Sequence, residues 1–338
     1  MPDDDSSALQ GEAAIVAMLA PLSAGFAGAF GLQDDCALLS EEPGTELVLK
    51  TDPVAEGVHF LAGTAPQDIA WKALAVNVSD LAAKAATPVG YLMALSFPQA
   101  PTRDWMARFV AGLGEAQARF ACHLIGGDTD RRPGPLTVSI TAIGRVPTGA
   151  MVRRGTAKAG DALYVSGSIG DAGLGLALLK DASLAARWGL TAEEREALQR
   201  RHMRPEPRLA LGPALRAHAR AAMDVSDGLV KDLERLARAS GVSARLEAAA
   251  VPMSAAARKA LGSAPERLVM GLITAGDDYE ILAAVAPDRT GAFAAEAAAA
   301  GIAVTRIGSL GPGPVTLEII GADGRPMTPP QRSGWDHF

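Results

Sequence analysis

The chain has 338 residues, a mass of 34.7 kDa, a formal net charge of −6 and 49% hydrophobic residues, a length that predicts two domains, each able to bury its own core. Arginine outnumbers lysine and no basic run occurs, which excludes a nucleic-acid or membrane-surface binder whose footprint would be a basic stripe. Two cysteines, Cys36 and Cys122, give neither a disulfide framework nor a CxxC metal spacing, no apolar run is long enough for a membrane span, and the first residues are acidic where a secretion signal would be basic; together these predict a cytoplasmic protein.

In chain order, Ala13–Leu22 reads as a short helix, Glu46–Lys50 as a strand ending at Thr51-Asp52, and Gln67–Ala86 as a long helix stopped by Thr87-Pro88, because proline pushes the residue before it out of helical geometry. A strand over Tyr91–Phe97, a helix over Arg103–Arg119 and a strand over Cys122–Ile125 follow. The last runs into Gly126-Gly127-Asp128, whose two glycines let a backbone approach a phosphate and whose Asp is placed to hold its metal. Leu136–Val146, rich in β-branched residues, is another strand.

The Pro, Gly, Thr and Arg composition of Pro147–Gly160 marks a domain boundary, predicting domains over 1–150 and 151–338. The second half opens with a strand, Ala162–Ser166, and a glycine turn through Gly170. Helices are predicted at Ala172–Lys180, Ala192–Arg201, Pro207–Ala219, Ser226–Ser240 and Ala292–Ala300, the last on the surface. Strands are predicted at Ala222–Asp224, Ile281–Val285, Thr305–Ile307 and Val315–Ile320. Both halves mix the two element types, so the fold class is two α/β or α+β domains.

The informative feature is where the aspartates fall. Asp34-Asp35, Asp52, Asp128, Asp224 and Asp277-Asp278 each close an apolar run beside Gly, Ser or Thr, while Asn77, Asp80 and Lys84 share one helix face. Any one of these is ordinary turn or cap chemistry. As a set they suit the edge of an α/β sheet where sites form. Convergent carboxylates repel unless a cation neutralises them, and an oxygen-only donor set selects a hard cation, Mg²⁺ or Mn²⁺, over zinc. No P-loop is present. His59 beside Phe60 reads as a packed histidine, His123 as core, and His202 and His218 as helix surface. Arg153-Arg154 is able to clamp a phosphate but as a lone pair reads as a solvated loop. The terminal Gly334-Trp335-Asp336-His337-Phe338 either docks on the fold or lids a ligand.

Seven segments taken in order resemble the thiamine-monophosphate kinase family, relatives of aminoimidazole ribonucleotide synthetase and selenophosphate synthetase. They are Gln33-Asp34-Asp35-Cys36-Ala37, Lys50-Thr51-Asp52 with Glu56–Phe60, Ala75–Ala83, Gly126–Thr129, Met223–Leu229, Gly276–Glu280 and Trp335–Phe338. The resemblance implies ATP-dependent phosphorylation of thiamine phosphate to thiamine diphosphate. It implies an N-terminal domain that binds ATP and Mg²⁺ and dimerises through its sheet, and a C-terminal domain covering the cleft. Asp34, Thr51, Asp52, Asp80, Asp128, Asp224 and Asp227 match its magnesium positions, with Asp52, Asp128 and Asp224 as the catalytic carboxylates. Gly127, Arg154 and Ser226 match ATP contacts, and His59, Asp277 and Trp335 match positions holding thiamine phosphate. Three residues depart from the family pattern: Gln33 replaces a glycine and strains a turn that needs positive φ, Lys50 replaces a hydroxyl side chain and weakens or removes one magnesium, and Lys84 replaces an apolar residue. Against a selenophosphate synthetase, Cys36 reads as small and buried rather than reactive. Against the hydrogenase-maturation relative, the chain ends in Phe338. A nucleotide sensor without turnover is the alternative outside the enzyme class.

Overall fold

A computed structural model describes residues 7–262, 265–328 and 333–336. The chain divides into two units, Met1–Leu81 with Ala86–Gly149, and Ala82–Ala85 with Ala150–Phe338. The first contains α1 (Glu12–Leu19), β1 (Thr45–Ala55), α2 (Pro66–Ala83, whose last residues belong to the second unit), β2 (Thr87–Phe97), α3 (Arg103–Phe120), β3 (His123–Arg131) and β4 (Thr137–Pro147). Its four strands run in the order β1-β4-β2-β3, antiparallel except for β2 with β3, which α3 connects.

The helices hold that sheet for stated reasons. Thr102 caps α3 by accepting from the Trp105 amide at 3.1 Å. Gln117 on α3 accepts from both the Tyr91 hydroxyl (2.9 Å) and the Leu124 amide (2.7 Å) and donates to the Leu22 carbonyl (3.0 Å), so one buried amide ties three segments. Trp71 on α2 meets Phe120 on α3 edge to face. On β1 the residues Val48, Lys50, Asp52 and Val54 are more covered than their neighbours, while Leu47, Leu49, Thr51 and Pro53 are exposed, the alternation of a strand with one covered face.

Several expected boundaries move. β1 does not end at Thr51-Asp52 but continues to Ala55, with Asp52 paired to Ile140 and Pro53 to Ser139. The strand expected to end at Ile125 runs on through Gly126-Gly127-Asp128 to Arg131. Those three residues lie within β3, opposite Leu92, Met93 and Ala94. A Cβ on Gly127 would lie 1.9 Å from the Met93 carbonyl oxygen, so the glycine is required by the approach of β2. Gln33 has φ −102° and is unstrained; Phe30, Gly31 and Leu32 just before it carry the positive φ values.

The second unit contains β5 (Ala162–Ser166), α4 (Asp171–Lys180), α5 (Leu184–Arg187), α6 (Ala192–Met203), α7 (Gly212–His218), β6 (Ala219–Val225), α8 (Leu229–Ser240), β7 (Ser243–Glu247), α9 (Ala255–Leu261), α10 (Pro265–Ile273), β8 (Glu280–Val285), α11 (Thr290–Ala299), β9 (Val304–Gly311) and β10 (Leu317–Ile320). Its six-stranded sheet runs β10-β7-β9-β5-β8-β6 and is antiparallel except for β10 with β7. Leu163, Val165, Met223 and Leu282 pack with Leu229, Leu233 and Leu236 of α8 on one face. Ala162, Tyr164, Ala283 and Val285 pack with Leu215 and Phe293 on the other. Cover on both faces explains why every residue of β8 is buried. α11 is not purely a surface helix, since Phe293 and Ala297 are buried. α8 begins at Leu229, leaving Ser226-Asp227-Gly228 as the turn that enters it. Among the described residues no helix is long and apolar enough to cross a membrane.

Candidate functional site

In the N-terminal unit the site grows from the contact between β1 and α2. β1 is an edge strand, and at Asp52 its backbone N–H and C=O face away from β4. The buried Asn77 of α2 meets both: its Oδ1 accepts from the Asp52 amide at 2.8 Å, and its Nδ2 donates to the Asp52 carbonyl at 3.3 Å and to Ala73 at 3.0 Å. This fixes strand against helix and brings Asp52 beside Asp80, one turn beyond Asn77. Lys50, two residues before Asp52 and so on the same strand face, closes the group. Its Nζ lies 3.0 Å from an Asp52 carboxylate oxygen and 2.9 Å from one of Asp80. Burial alone would lower the Lys50 pKa; the charges and hydrogen bonds of Asp80 and Asp52 outweigh it and the net shift is upward.

Other expected members of this group lie elsewhere. Thr51 alternates to the opposite sheet face, where the Thr141 hydroxyl donates to its Oγ1 at 3.1 Å, so the pleat separates it from Asp52. Asp128 pairs in register with the exposed Ala94 and falls on that same open face. Asp34 sits in an exposed loop with its carboxylate facing the Cys36 amide, and Cys36 itself is exposed rather than buried, because that loop packs little around it. Lys84 has left the helix; its Nζ donates to the Ala222 carbonyl at 2.7 Å. His59 is the packed histidine its surroundings suggest: Nδ1 accepts from the Ala55 amide at 3.1 Å, which places the neutral ring's proton on Nε2. His123 is half-buried rather than core.

In the C-terminal unit three distant segments meet at the turn after β6. The Ser226 carbonyl accepts from the Asp277 amide at 2.8 Å, and the Asp227 carbonyl from the Trp335 amide at 2.9 Å. Gly228 enters α8 at φ 114° with the Thr274 carbonyl 2.7 Å from where a Cβ would stand. Asp232, in the first turn of α8, accepts from the Ser226 and Asp227 amides at 3.0 Å each. Burial, helped by the nearby Asp227 charge, pushes its carboxyl up to about 6, although the Asp227 amide and Arg235 pull the other way. Arg235 lies 2.5 Å from Asp227 and 2.9 Å from Asp232. The tail therefore docks: Lys231 donates to the Trp335 carbonyl and lies 3.6 Å from Asp336, while Trp335 as a residue stays about half exposed, at 51%. His337 and Phe338 lie outside the described residues. Asp224, at the end of β6, is buried, and Arg154 is exposed.

The paired Asp277-Asp278 divides its labour. Asp277 has φ 70°; its carboxylate accepts from the Tyr279 hydroxyl at 3.2 Å and lies 3.2 Å from His202 Nδ1. His202 is buried, contrary to its reading as helix surface; Leu198 and His202, four apart, are the two buried residues of α6, and that spacing is the signal in the sequence. His218 is likewise half-buried against Glu296. Asp278 is fully buried and accepts from the Gly170 and Ala172 amides at 2.7 and 3.3 Å, capping α4. Burial pushes its carboxyl up to about 8. Glu280 behind it is buried between Ser166 (2.6 Å), Arg201 (2.8 Å) and Arg208 (2.7 Å). None of Asp232, Arg235, Arg201 or Arg208 carries a sequence signal separating it from ordinary surface charge, while Glu280 closes the Gly276–Glu280 segment.

Models of AIR synthase related proteins match in both halves, the N-terminal domain over residues 33–146 and the C-terminal domain over 158–319. The thiamine-monophosphate kinase of Caulobacter vibrioides is 43% identical over 96% of this chain and 89% of its own. The chain belongs to the thiamine-monophosphate kinase family. Solved structures of thiamine-monophosphate kinases agree. That from Stenotrophomonas maltophilia K279a superposes with a TM-score of 0.77 at 39% identity, over 88% of this chain and 91% of that one. One described as AaThiL complexed with AMPPCP and TMP gives 0.74 at 30% identity, over 92% and 97%. The two-domain mixed α/β fold expected from the sequence is the fold of these thiamine-monophosphate kinases.

Proposed function

We infer that this chain transfers the γ-phosphoryl group of ATP to thiamine phosphate, giving thiamine diphosphate and ADP. The observation that carries the reading is the match, over nearly the whole chain, to thiamine-monophosphate kinases, one of them solved as a complex with AMPPCP and TMP. The acceptor is a phosphate oxygen whose second pKa is about 6, already ionised at pH 7. No side chain need remove a proton, which suits clusters rich in aspartate. The difficulty is charge: donor and acceptor are both anions, so catalysis reduces to positioning and neutralisation for an in-line transfer.

Mg²⁺ suits part of this donor set. Among the described residues no three Asp, Glu, His or Cys side chains form a cage, and Mg²⁺ is held by one or two carboxylates completed by substrate phosphates. The carboxylates we assign to it, one or two per ion, are Asp34 and Asp128 in the N-terminal unit and Asp224 in the C-terminal unit, where it would neutralise phosphate charge. Asp52 and Asp80 already share the Lys50 ammonium, and Asp227 faces Arg235. ATP contacts are assigned to Gly127 on the sheet edge, the exposed Arg154, and Ser226 at the turn entering α8. Thiamine phosphate is assigned to His59, Asp277 and Trp335; the indole of the half-exposed Trp335 can stack on the cationic ring for roughly 0.5–2 kcal/mol, with the Asp277 carboxylate offsetting its charge.

A homodimer is part of the same reading. It is supported by the open face of the N-terminal sheet, where Leu47, Leu49 and Leu92 are exposed, a row of apolar side chains that solvent does not favour. A cytoplasmic setting is supported by the two free cysteines. Chromatography of a reaction containing ATP, Mg²⁺ and either thiamine phosphate or free thiamine tests the assignment: product from thiamine phosphate alone is expected, and product from free thiamine alone would overturn it.

A further inference from the structure

The group between β1 and α2 has a property that the kinase reading does not use. Two carboxylates from different elements converge, and the cation between them is the chain's own. Lys50 Nζ is 3.0 Å from Asp52 and 2.9 Å from Asp80, distances of charge-assisted hydrogen bonds. Lys50 reaches them from the same strand face as Asp52, with its side chain partly covered at 29% exposure. The backbone of Asp52 is pinned by Asn77, so the carboxylates are held together by the fold and not by the lysine alone.

We propose that Lys50 is a built-in counter-ion, its ammonium holding the place between Asp52 and Asp80 that a divalent cation would otherwise take. This rests on the reading of the chain as an ATP- and Mg²⁺-using kinase. An ammonium and a divalent ion compete for the same oxygens, and an ammonium carries three donors and no acceptor, so it cannot join the coordination shell. The tethered cation has the advantage of a high effective concentration, and Mg²⁺ gives up its water reluctantly. Two carboxylates with one ammonium keep a residual charge of −1, whereas a divalent ion added beside the ammonium would be repelled by it. The chain thus takes up one divalent ion fewer than its carboxylates could support, and this corner of the site stays partly neutralised, at −1, when free Mg²⁺ falls.

The test counts metal. Mn²⁺ bound per chain is measured by electron paramagnetic resonance, with the metal alone and again with the non-hydrolysable ATP analogue AMPPCP, for wild type, Lys50→Arg, Lys50→Met and Lys50→Thr. Wild type and Lys50→Arg should bind the same number of ions, and Lys50→Met and Lys50→Thr one more, lost again on adding Asp80→Asn. Equal counts in all four proteins would overturn the proposal. Should the Lys50 variants fail to fold, Asp80→Asn in the wild-type background decides: an unchanged count is expected, and the loss of one Mn²⁺ would overturn it. The metal-alone arm gives its answer without nucleotide. Failure of AMPPCP to bind wild type would therefore count against the kinase reading and leave the counter-ion result standing.

Discussion

Removing the Asn77 side chain tests how the N-terminal site is assembled. Asn77 is fully buried and makes three hydrogen bonds, two of them to the Asp52 backbone. In Asn77→Ala the bond to Ala73 is the cheap loss, since that carbonyl keeps its place in the helix ladder. The Asp52 N–H and C=O lose the partners that replace a neighbouring strand. A net hydrogen bond is worth roughly 0.5–1.5 kcal/mol and an unsatisfied buried group costs about 1–3 kcal/mol. A total of about 2–4 kcal/mol follows, tempered by the partial burial of Asp52. At about 2–4 °C per kcal/mol, the N-terminal transition should fall by roughly 4–16 °C. Calorimetry resolves that transition, and two transitions are to be fitted because the chain has two units. Hydrogen exchange at the Asp52 amide reads the local effect. Asn77→Asp should cost more, because it turns a donor into a third anion beside Asp52 and Asp80. A shift under about 1 °C with Asp52 protection unchanged would refute the view that Asn77 builds the site.

Other expectations follow from the same structure. Gly127→Ala sets a Cβ against the Met93 carbonyl at 1.9 Å and should cost about 1–3 kcal/mol or more; a denaturant midpoint equal to wild type would contradict it. Glu280→Gln leaves Arg201 and Arg208 facing a neutral amide, and breaking a buried ion pair costs about 3–5 kcal/mol, so denaturation of the C-terminal unit should show a loss of about 3 kcal/mol, the arginines being partly open to water. A loss below 1 kcal/mol would show the network to be dispensable. Asp278 titrates near 3.8 when unfolded and is pushed up to about 8 by burial. The folded chain therefore holds a proton the unfolded chain releases, and this stabilisation, full below about 3.8, is lost as pH rises through 8. Between pH 6 and 9 wild type should lose stability more steeply than Asp278→Asn; parallel slopes would contradict the assignment.

What could be read from the sequence was set by local patterning. Alternating or continuous apolar runs gave β5, β8, α2 and α3 nearly whole, and the order of short acidic segments pointed to the family. Readings failed where a local breaker is compensated from afar. Asp52-Pro53 looks like the end of a strand, yet β1 continues because Asn77, twenty-five positions on, pairs the Asp52 backbone. The strand from Cys122 looks as if it stops before Gly126-Gly127, yet β3 runs on because the glycines let it lie against Met93. The positions of the aspartates were legible, their individual surroundings were not: Asp278 caps a helix, Thr51 faces away from Asp52, and Asp80 lies against Lys50. Such assignments depend on which face of a strand or helix is covered. Likewise, His202 became a buried neighbour of Asp277 on a helix with almost no apolar stripe.

The most direct test of the central claim follows the phosphoryl group. Purified protein with Mg²⁺, thiamine phosphate and ATP labelled at the γ-phosphate should place the label in the terminal phosphate of thiamine diphosphate, with one ADP formed per labelled product. Label released as inorganic phosphate, or retained in ATP while thiamine phosphate is present, would contradict it.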